Sequence, residues 1–170
     1  MKQKNDLRRL TLAALMAAMT AAATLVIRIP TPSKGYVNLG DCIVNIAGWL
    51  LGPAYGAAAA GIGSALADVI GGYMVYAPVT LAVKGGMAAV SWLIFAGIQR
   101  KVGSAAARVI AAVCAEILMC GGYFLFEAAL YGSAAALAGV AANAVQGAIG
   151  AAVSVSLYEL VIKRVVKRYE

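Results

Sequence analysis

The sequence predicts an all-α membrane protein, a bundle of six transmembrane helices with its N- and C-termini in the cytoplasm. Of its 170 residues, 63% are apolar and 12% are charged. Soluble domains contain about 45–50% apolar and about 25% charged residues, so the lipid bilayer is the expected solvent. There are 19 glycines, and small residues let helix backbones approach closely in lipid. Because no polar linker divides the chain, we expect a single membrane-embedded domain over residues 1–170.

The apolar runs define the helices, since a span needs about 20 apolar residues at a rise of 1.5 Å each. Pro30 and Pro32 end the first helix, and Gly52-Pro53 separates the second from the third. The second run is too short to cross alone unless it begins in the preceding loop or is shielded by protein. The expected helices cover roughly residues 10–29, 42–51, 54–70, 77–98, 105–130 and 134–162.

Membrane topology explains the net charge of +7 better than nucleic-acid binding does. Basic residues cluster at both termini and between the fourth and fifth helices, each beside an apolar run, as the positive-inside rule predicts. With the N-terminus inside, all of the 14 Lys and Arg residues except Arg28, Lys34 and Lys84 fall on the cytoplasmic side. We therefore expect a multi-pass membrane protein without a nucleic-acid partner.

Motifs for catalysis, metal binding and nucleotide hydrolysis are missing from the sequence. It has no His, and Cys42, Cys114 and Cys120 form no CxxC pair, so neither a metal nor a cofactor is expected. There is no HExxH, GxSxG, GxGxxG or Walker motif. The chain is not expected to be an enzyme, and active transport would need a partner that hydrolyses ATP.

Ionisable groups inside membrane helices are expensive, so each needs a partner, water or a function. Lys84 is expected about 10 Å below the outer surface, Glu127 close to that surface and Glu116 nearer the midplane. Glu116, Cys120, Tyr123 and Glu127 are spaced by four, three and four residues and share one helical stripe. We predict a pocket open to the outside. The candidate substrate-binding residues are Asn38, Asp41, Asp68, Lys84, Glu116, Tyr123, Glu127, Asn143 and Gln146.

A structural interpretation competes with this functional one. Lys84 could pair with Asp68 or Glu127 and hold helices together, and Asn143 and Gln146 could form hydrogen bonds between helices. In the functional interpretation, an aromatic ring stacks on a flat ligand while the polar groups fix its orientation. The candidate residues include no Arg cluster for a phosphate, so we expect an unphosphorylated ligand.

The first helix carries two lines of alanines at a spacing of four residues. They form flat ridges on which a partner helix could dock, although periodicity alone is explained more simply by packing within the bundle. The candidate docking residues are Ala13, Ala14, Ala17 and Ala18.

Several stretches resemble the substrate-binding S components of energy-coupling factor (ECF) vitamin transporters. They are IPTPSKGYVNLGD at 29–41, LLGPAYG at 50–56, GIGSALADVIGGY at 61–73, YAPVTLAVKG at 76–85 and NAVQGAIG at 143–150. The alanine ridge is similar to the AxxxA signature of that family, and the chain looks most like the hydroxymethylpyrimidine/pyridoxine-type branch. Riboflavin, pantothenate, folate and queuosine-precursor relatives share enough of the pattern to stay open.

The resemblance implies a subunit that captures a small vitamin in an outward pocket capped by the loop after the first helix. It also implies three partner subunits, a membrane coupling subunit that docks on the alanine ridge and two cytoplasmic ATPases. Docking would reorient the subunit within the membrane.

A stand-alone carrier and a ligand-free scaffold are the alternatives to a vitamin-capturing subunit. Against the carrier, there is no internal repeat, and the cytoplasmic halves of the first, fifth and sixth helices hold few polar groups. A scaffold without a ligand would leave unexplained the free-energy cost of placing Lys84, Glu116 and Glu127 inside the membrane.

Overall fold

The computed structural model describes residues 2–30 and 36–165, with side chains from residue 6 onward. A short β-hairpin follows the first helix, and a π-helical turn at Tyr158–Ile162 extends the last. The elements are α1 (Lys2–Val26), β1 (Arg28–Pro30), β2 (Tyr36–Asn38), α2 (Gly40–Gly71), α3 (Ala77–Val102), α4 (Ser104–Tyr131) and α5 (Ser133–Leu157). All five helices are long and apolar enough to cross a membrane.

The described residues form five helices rather than the six predicted, because the predicted second and third helices belong to one element, α2. Gly52 interrupts α2 with φ 81° and ψ −178°, a backbone conformation that glycine adopts without steric cost. Pro53 follows, and its backbone nitrogen has no hydrogen with which to donate a helical hydrogen bond. The break was predicted correctly from the sequence, but the residues on its two sides were predicted to be separate helices.

The two halves of α2 lie side by side. A Cβ atom added at Gly56 would lie 2.8 Å from the carbonyl oxygen of Ala47, and Val44 and Ala60 belong to one buried cluster. In a straight helix Val44 and Ala60 would be about 24 Å apart. The chain therefore reverses direction at Gly52, which brings both ends of α2 to the same end of the bundle.

Close backbone contacts through glycine hold α2 at the centre of the bundle. It packs against α1, α3 and α5, while α4 packs against α3 and α5. A side chain at Gly48 would meet the backbone of Ala88, and one at Gly63 would meet the carbonyl of Ala17. Water does not drive helices together within lipid, so such close packing is a main source of cohesion.

The outer surface of the helices is apolar, as expected for contact with lipid. Leu125 is 70% exposed and Ile70 is 69% exposed. In a soluble protein such extensive apolar exposure would mark an interface or a site of aggregation.

The β-hairpin begins in the last residues of the predicted first helix, Arg28 and Ile29, and continues into the segment that was predicted to be a loop. Its strands pair antiparallel, with Arg28 opposite Asn38 and Pro30 opposite Tyr36. Three-residue strands are too short to show an alternating pattern, so they could not be predicted from the sequence. Lys34, which was predicted in the same loop, lies outside the described residues.

Arg108 was assigned to a cytoplasmic basic cluster from the sequence, but the structure buries it. It is 5% exposed at the end of the bundle opposite the hairpin. Its guanidinium pairs with Glu159 at 2.6 Å and lies 4.4 Å from the ring centre of Phe95 and 3.7 Å from that of Tyr158. Cation–π contacts of this kind strengthen when they are shielded from water, so Arg108 ties α3, α4 and the π-helical turn together.

We predict that Gly48→Ala destabilises the protein by about 1–3 kcal/mol, because the new methyl group forces the Ala88 backbone away. Gly97→Ala is the matched control, since no atom outside its own helix lies within 4 Å of its Cβ position. That change should be neutral or stabilising by up to about 1 kcal/mol. Thermal unfolding in detergent measures both, and equal midpoints for the two variants would contradict the close packing at Gly48.

Candidate functional site

A polar cavity lies at the hairpin end of the bundle, enclosed by β2 and by side chains from all five helices. Water can occupy about 30 Å³ of it, which is room for about one or two molecules. Seven of the nine predicted substrate-binding residues line it: Asn38, Asp68, Lys84, Tyr123, Glu127, Asn143 and Gln146. Five lining residues were not predicted: Thr24, Tyr36, Ser64, Tyr76 and Thr80.

The floor of the cavity is a buried ion pair between Lys84 and Asp41. Asp41 is 0% exposed and Lys84 is 2% exposed. Gln146 donates from Nε2 to Asp41 Oδ2 at 2.6 Å, while its Oε1 accepts from the backbone N–H of Asn38 at 2.7 Å. The structural interpretation from the sequence had the wrong partner for Lys84, which pairs with Asp41 and not with Asp68 or Glu127. This network joins α2, α3, α5 and β2.

Glu116 was predicted to face the pocket, but it lies below the floor. Its Oε1 accepts a hydrogen bond from Asn45 Nδ2 at 3.0 Å. Gly147 and Gly150 on α5 make room for it, because a Cβ at Gly150 would lie only 3.1 Å from Glu116 Oε1. With Cys120 it lines an apolar lateral groove between α4 and α5. The predicted stripe on α4 is therefore divided between two sites.

Tyr36 fastens the hairpin over the cavity. Its hydroxyl donates to Asp68 Oδ1 at 2.5 Å, and its ring packs against Tyr73 with 4.5 Å between centroids. Burial is the main cause that raises the pKa of Tyr36 above its ordinary value, and the hydrogen bond to Asp68 is the second. The phenol therefore stays protonated at physiological pH and keeps its role as the donor.

Aromatic rings form one wall of the cavity. The Tyr76 ring lies 5.3 Å from Phe126 and 6.5 Å from Tyr123, measured between centroids. The Tyr123 hydroxyl is 3.1 Å from Thr80 Oγ1, and the Lys84 ammonium lies 5.5 Å from the Tyr123 ring centre. A flat aromatic ligand could stack on this wall.

Three polar atoms that line the cavity have no hydrogen-bond partner among the described residues. They are Thr24 Oγ1, Ser64 Oγ and Asp68 Oδ2, and all three are buried. A buried polar atom without a partner costs about 1–3 kcal/mol, so a polar molecule in the cavity would recover that energy. The sequence did not single out Thr24 or Ser64, because hydroxyl residues in helices usually bond to their own backbone.

The polar groups of the cavity do not form a metal site among the described residues. Among the described residues, no group of three or more His, Cys, Asp or Glu side chains is placed to hold a metal ion. Hydroxyl, amide, ammonium and carboxylate groups around an aromatic wall instead suit an organic ligand with its own donors and acceptors.

The family comparison matches almost the entire chain. Residues 4–164 match the family model described as "ECF-type riboflavin transporter, S component". The chain belongs to this family of ECF S components. S components are substrate-binding subunits of transporters and not enzymes, and membership implies association with ECF transmembrane and ATPase subunits and with a small-molecule substrate. With its apolar helices, this S component is a multi-pass membrane protein.

Comparison with known proteins gives two further likenesses. A solved structure titled "Structure and mechanism of the S component of a bacterial ECF transporter" matches with a TM-score of 0.69 at 18% identity. That match covers 94% of this chain and 98% of the other, which shows a shared fold. A Pyrococcus woesei protein, described as an "Uncharacterized protein in gap 3'region", is 34% identical over 143 residues, 84% of this chain and 93% of that protein.

We predict that Lys84→Met destabilises the S component by about 3–5 kcal/mol, because it leaves the Asp41 carboxylate buried without its partner. The double variant Lys84→Met/Asp41→Asn removes that charge as well and should recover most of the loss. Lys101→Met, at an exposed position at the other end of the bundle, is the control and should be neutral. Thermal unfolding in detergent is the measurement, and additive losses in the double variant would contradict the ion pair.

Proposed function

We propose that this S component captures a small, unphosphorylated heteroaromatic vitamin and delivers it to an ECF importer. The polar cavity carries this proposal. Three of its buried polar atoms have no hydrogen-bond partner among the described residues, and they lie beside an aromatic wall. Lys84 is the one cation among the described lining residues, and Asp41 already pairs with it. A phosphate group would also face the carboxylates of Asp68 and Glu127, so the free vitamin is preferred to its phosphate ester.

Pyridoxine or hydroxymethylpyrimidine is the first candidate ligand. Each has a single heteroaromatic ring with one or two hydroxymethyl groups, which suits a cavity with hydroxyl, amide and carboxylate lining. The small size of the cavity, about 30 Å³, favours such a compact molecule because it needs the least widening.

Riboflavin is the second candidate, and the description of the matching family model favours it. Its three-ring system offers more surface to the tyrosine wall, and its ribityl chain offers several hydroxyl groups to the unpartnered atoms. Its greater size requires more rearrangement of the cavity than a single-ring vitamin does.

The same proposal assigns the cavity to the outer side of the bacterial cytoplasmic membrane and both termini to the inner side. The chain then crosses six times as one domain, with each half of α2 counted as a crossing. Support comes from the reversal at Gly52 and from the basic residues Arg8, Arg9 and Lys163, which lie at the end away from the cavity. A basic end on the cytoplasmic side follows the positive-inside rule.

Docking of the ECF coupling subunit is proposed on the exposed alanines of α1. Ala14 and Ala18 are exposed, so they remain available to a partner helix. Ala13 is 7% exposed in the core, and Ala17 packs against the same core, so these two support α1 from within. The proposed docking set thus narrows from four alanines to two.

We predict that Ser64→Ala weakens vitamin binding about fivefold to tenfold, because it removes a hydroxyl that the ligand would satisfy. Ser91→Ala is the matched control. Both serines are buried without a hydrogen-bond partner among the described residues, but Ser91 does not line the cavity. Titration calorimetry with pyridoxine, hydroxymethylpyrimidine, riboflavin and their phosphate esters measures the affinities, with Asn143→Ala expected to weaken binding as well.

Three results of this titration would contradict the proposal. If no vitamin bound, the capture function would be wrong. If a phosphate ester bound better than the free vitamin, the charge argument would be wrong. If Ser91→Ala weakened binding as much as Ser64→Ala, the ligand would not occupy this cavity.

We predict that Ala18→Trp stops vitamin uptake by the assembled importer and leaves binding to the isolated subunit intact. A bulky ring at this position prevents close approach of a partner helix. Ala138→Trp, at an exposed alanine on α5, is the control and should transport normally. Uptake of labelled vitamin into proteoliposomes checks the result, and normal uptake by Ala18→Trp would refute this docking surface.

A further inference from the structure

A second pocket lies at the end of the bundle away from the polar cavity. It has a volume of about 610 Å³ and forms where the start of α1 meets the bend of α2 and the middle of α3. Its lining includes Arg8 and Arg9 of α1, Trp49 beside the bend and Trp92 of α3. We call it the arginine–tryptophan pocket. The proposed vitamin binding does not involve this pocket.

The positive charge of this pocket is not neutralised within the described residues. Neither Arg8 nor Arg9 belongs to any of the ion pairs there, and no carboxylate lines the pocket. Arg108 at the same end provides the contrast, because it is buried and paired with Glu159. Two guanidinium groups that no ion pair there neutralises attract an anion, and their planar donors suit phosphate oxygens.

The indole groups add a second, independent indication of a ligand. Trp49 is 6% exposed, and its Nε1 has no hydrogen-bond partner among the described residues. Trp92 Nε1 lies at the bend, 3.9 Å from the position of a Cβ atom on Gly52. Tryptophan is enriched at the level of the lipid headgroups, where its ring is apolar and its N–H is a donor.

The position and the remaining walls of the pocket indicate which anion it binds. Arg8 and Arg9 lie near the start of the apolar stretch Asp6–Val26, which corresponds to the edge of the bilayer. Leu12 and Leu50 form an apolar side of the same pocket and are 39% exposed each. A ligand that is anionic at one end and apolar at the other matches both surfaces.

We propose that the arginine–tryptophan pocket binds the phosphate group of an anionic phospholipid, with the start of an acyl chain against Leu12 and Leu50. Basic pockets between transmembrane helices are suited to such headgroups. An acidic segment of a partner protein would satisfy the arginines but would leave the leucine side without an apolar partner, so lipid is the better match. The bound lipid would join α1 to the bend of α2.

The test uses the full-length protein in phosphatidylcholine nanodiscs that contain increasing fractions of phosphatidylglycerol. Retained phosphatidylglycerol is counted by native mass spectrometry, and inorganic phosphate at millimolar concentration is tested separately as a competitor. The test variant is Arg8→Gln/Arg9→Gln. The matched control, Arg100→Gln/Lys101→Gln, removes the same charge from the same end of the bundle but outside the pocket.

We expect the wild type to retain phosphatidylglycerol in preference to phosphatidylcholine. The Arg8→Gln/Arg9→Gln variant should lose about 25-fold in apparent affinity for it, while the control should stay close to the wild type. Inorganic phosphate should not displace the lipid. Vitamin binding should be unchanged in both variants, so this result is independent of the proposed function.

Four outcomes would overturn the proposal. Unchanged lipid binding by Arg8→Gln/Arg9→Gln would show that the pocket is not the lipid site. Equal losses in both double variants would indicate general surface charge. Displacement by inorganic phosphate would identify a free anion as the ligand. Retained lipid binding with lost assembly onto the coupling subunit would identify an acidic protein segment as the occupant.

Discussion

The buried ion pair between Asp41 and Lys84 is the interaction on which the polar cavity depends. Removing either charge from water is costly, and the cost is met only when the partner and further hydrogen bonds are in place. Asp41 opens α2 and Lys84 lies on α3, so the pair fixes these two helices at a set depth. Gln146 extends the restraint to α5 through Asp41 Oδ2 and to the hairpin through Asn38. The floor of the cavity is therefore built from interactions within the protein, which leaves the side walls to recognise the ligand.

The reversal of α2 at Gly52 makes this arrangement possible in a short chain. It returns the chain to the hairpin end of the bundle, where Asp41 lies in the floor of the cavity and Asp68 in a side wall. The bend itself lies at the opposite end, beside Arg8, Arg9 and Trp49. The two ends of the bundle consequently differ in chemistry. One encloses hydroxyl, amide and carboxylate groups, and the other presents Arg8 and Arg9, which form no ion pair with the residues that the structure describes.

The depth of each polar residue along its helix was predictable from the sequence, but its partner was not. Lys84, Asn143 and Gln146 were predicted from the sequence to share one pocket, and all three line the cavity. The pairing of Lys84 with Asp41 depends on the packing of α2 against α3, which periodicity does not encode. Glu116 shares a helical face with Tyr123, yet it lies about 10 Å deeper and below the ion pair. Tyr36 was missed because a hairpin of two three-residue strands positions it over Asp68.

The size of the cavity indicates how a ligand enters it. Its volume of about 30 Å³ is about a tenth of the smallest pockets that usually hold organic ligands, about 300 Å³. In the proposed function, a vitamin that binds here would therefore displace part of the wall. The helices resist displacement, because glycine contacts such as Gly48 on Ala88 join backbone to backbone. The hairpin is attached through side chains instead, by the hydrogen bonds of Tyr36 to Asp68 and of Asn38 to Gln146 and by the packing of Tyr36 on Tyr73. Both bonds end on residues that line the cavity, so a ligand that competes for Asp68 and Gln146 would release the hairpin as it binds.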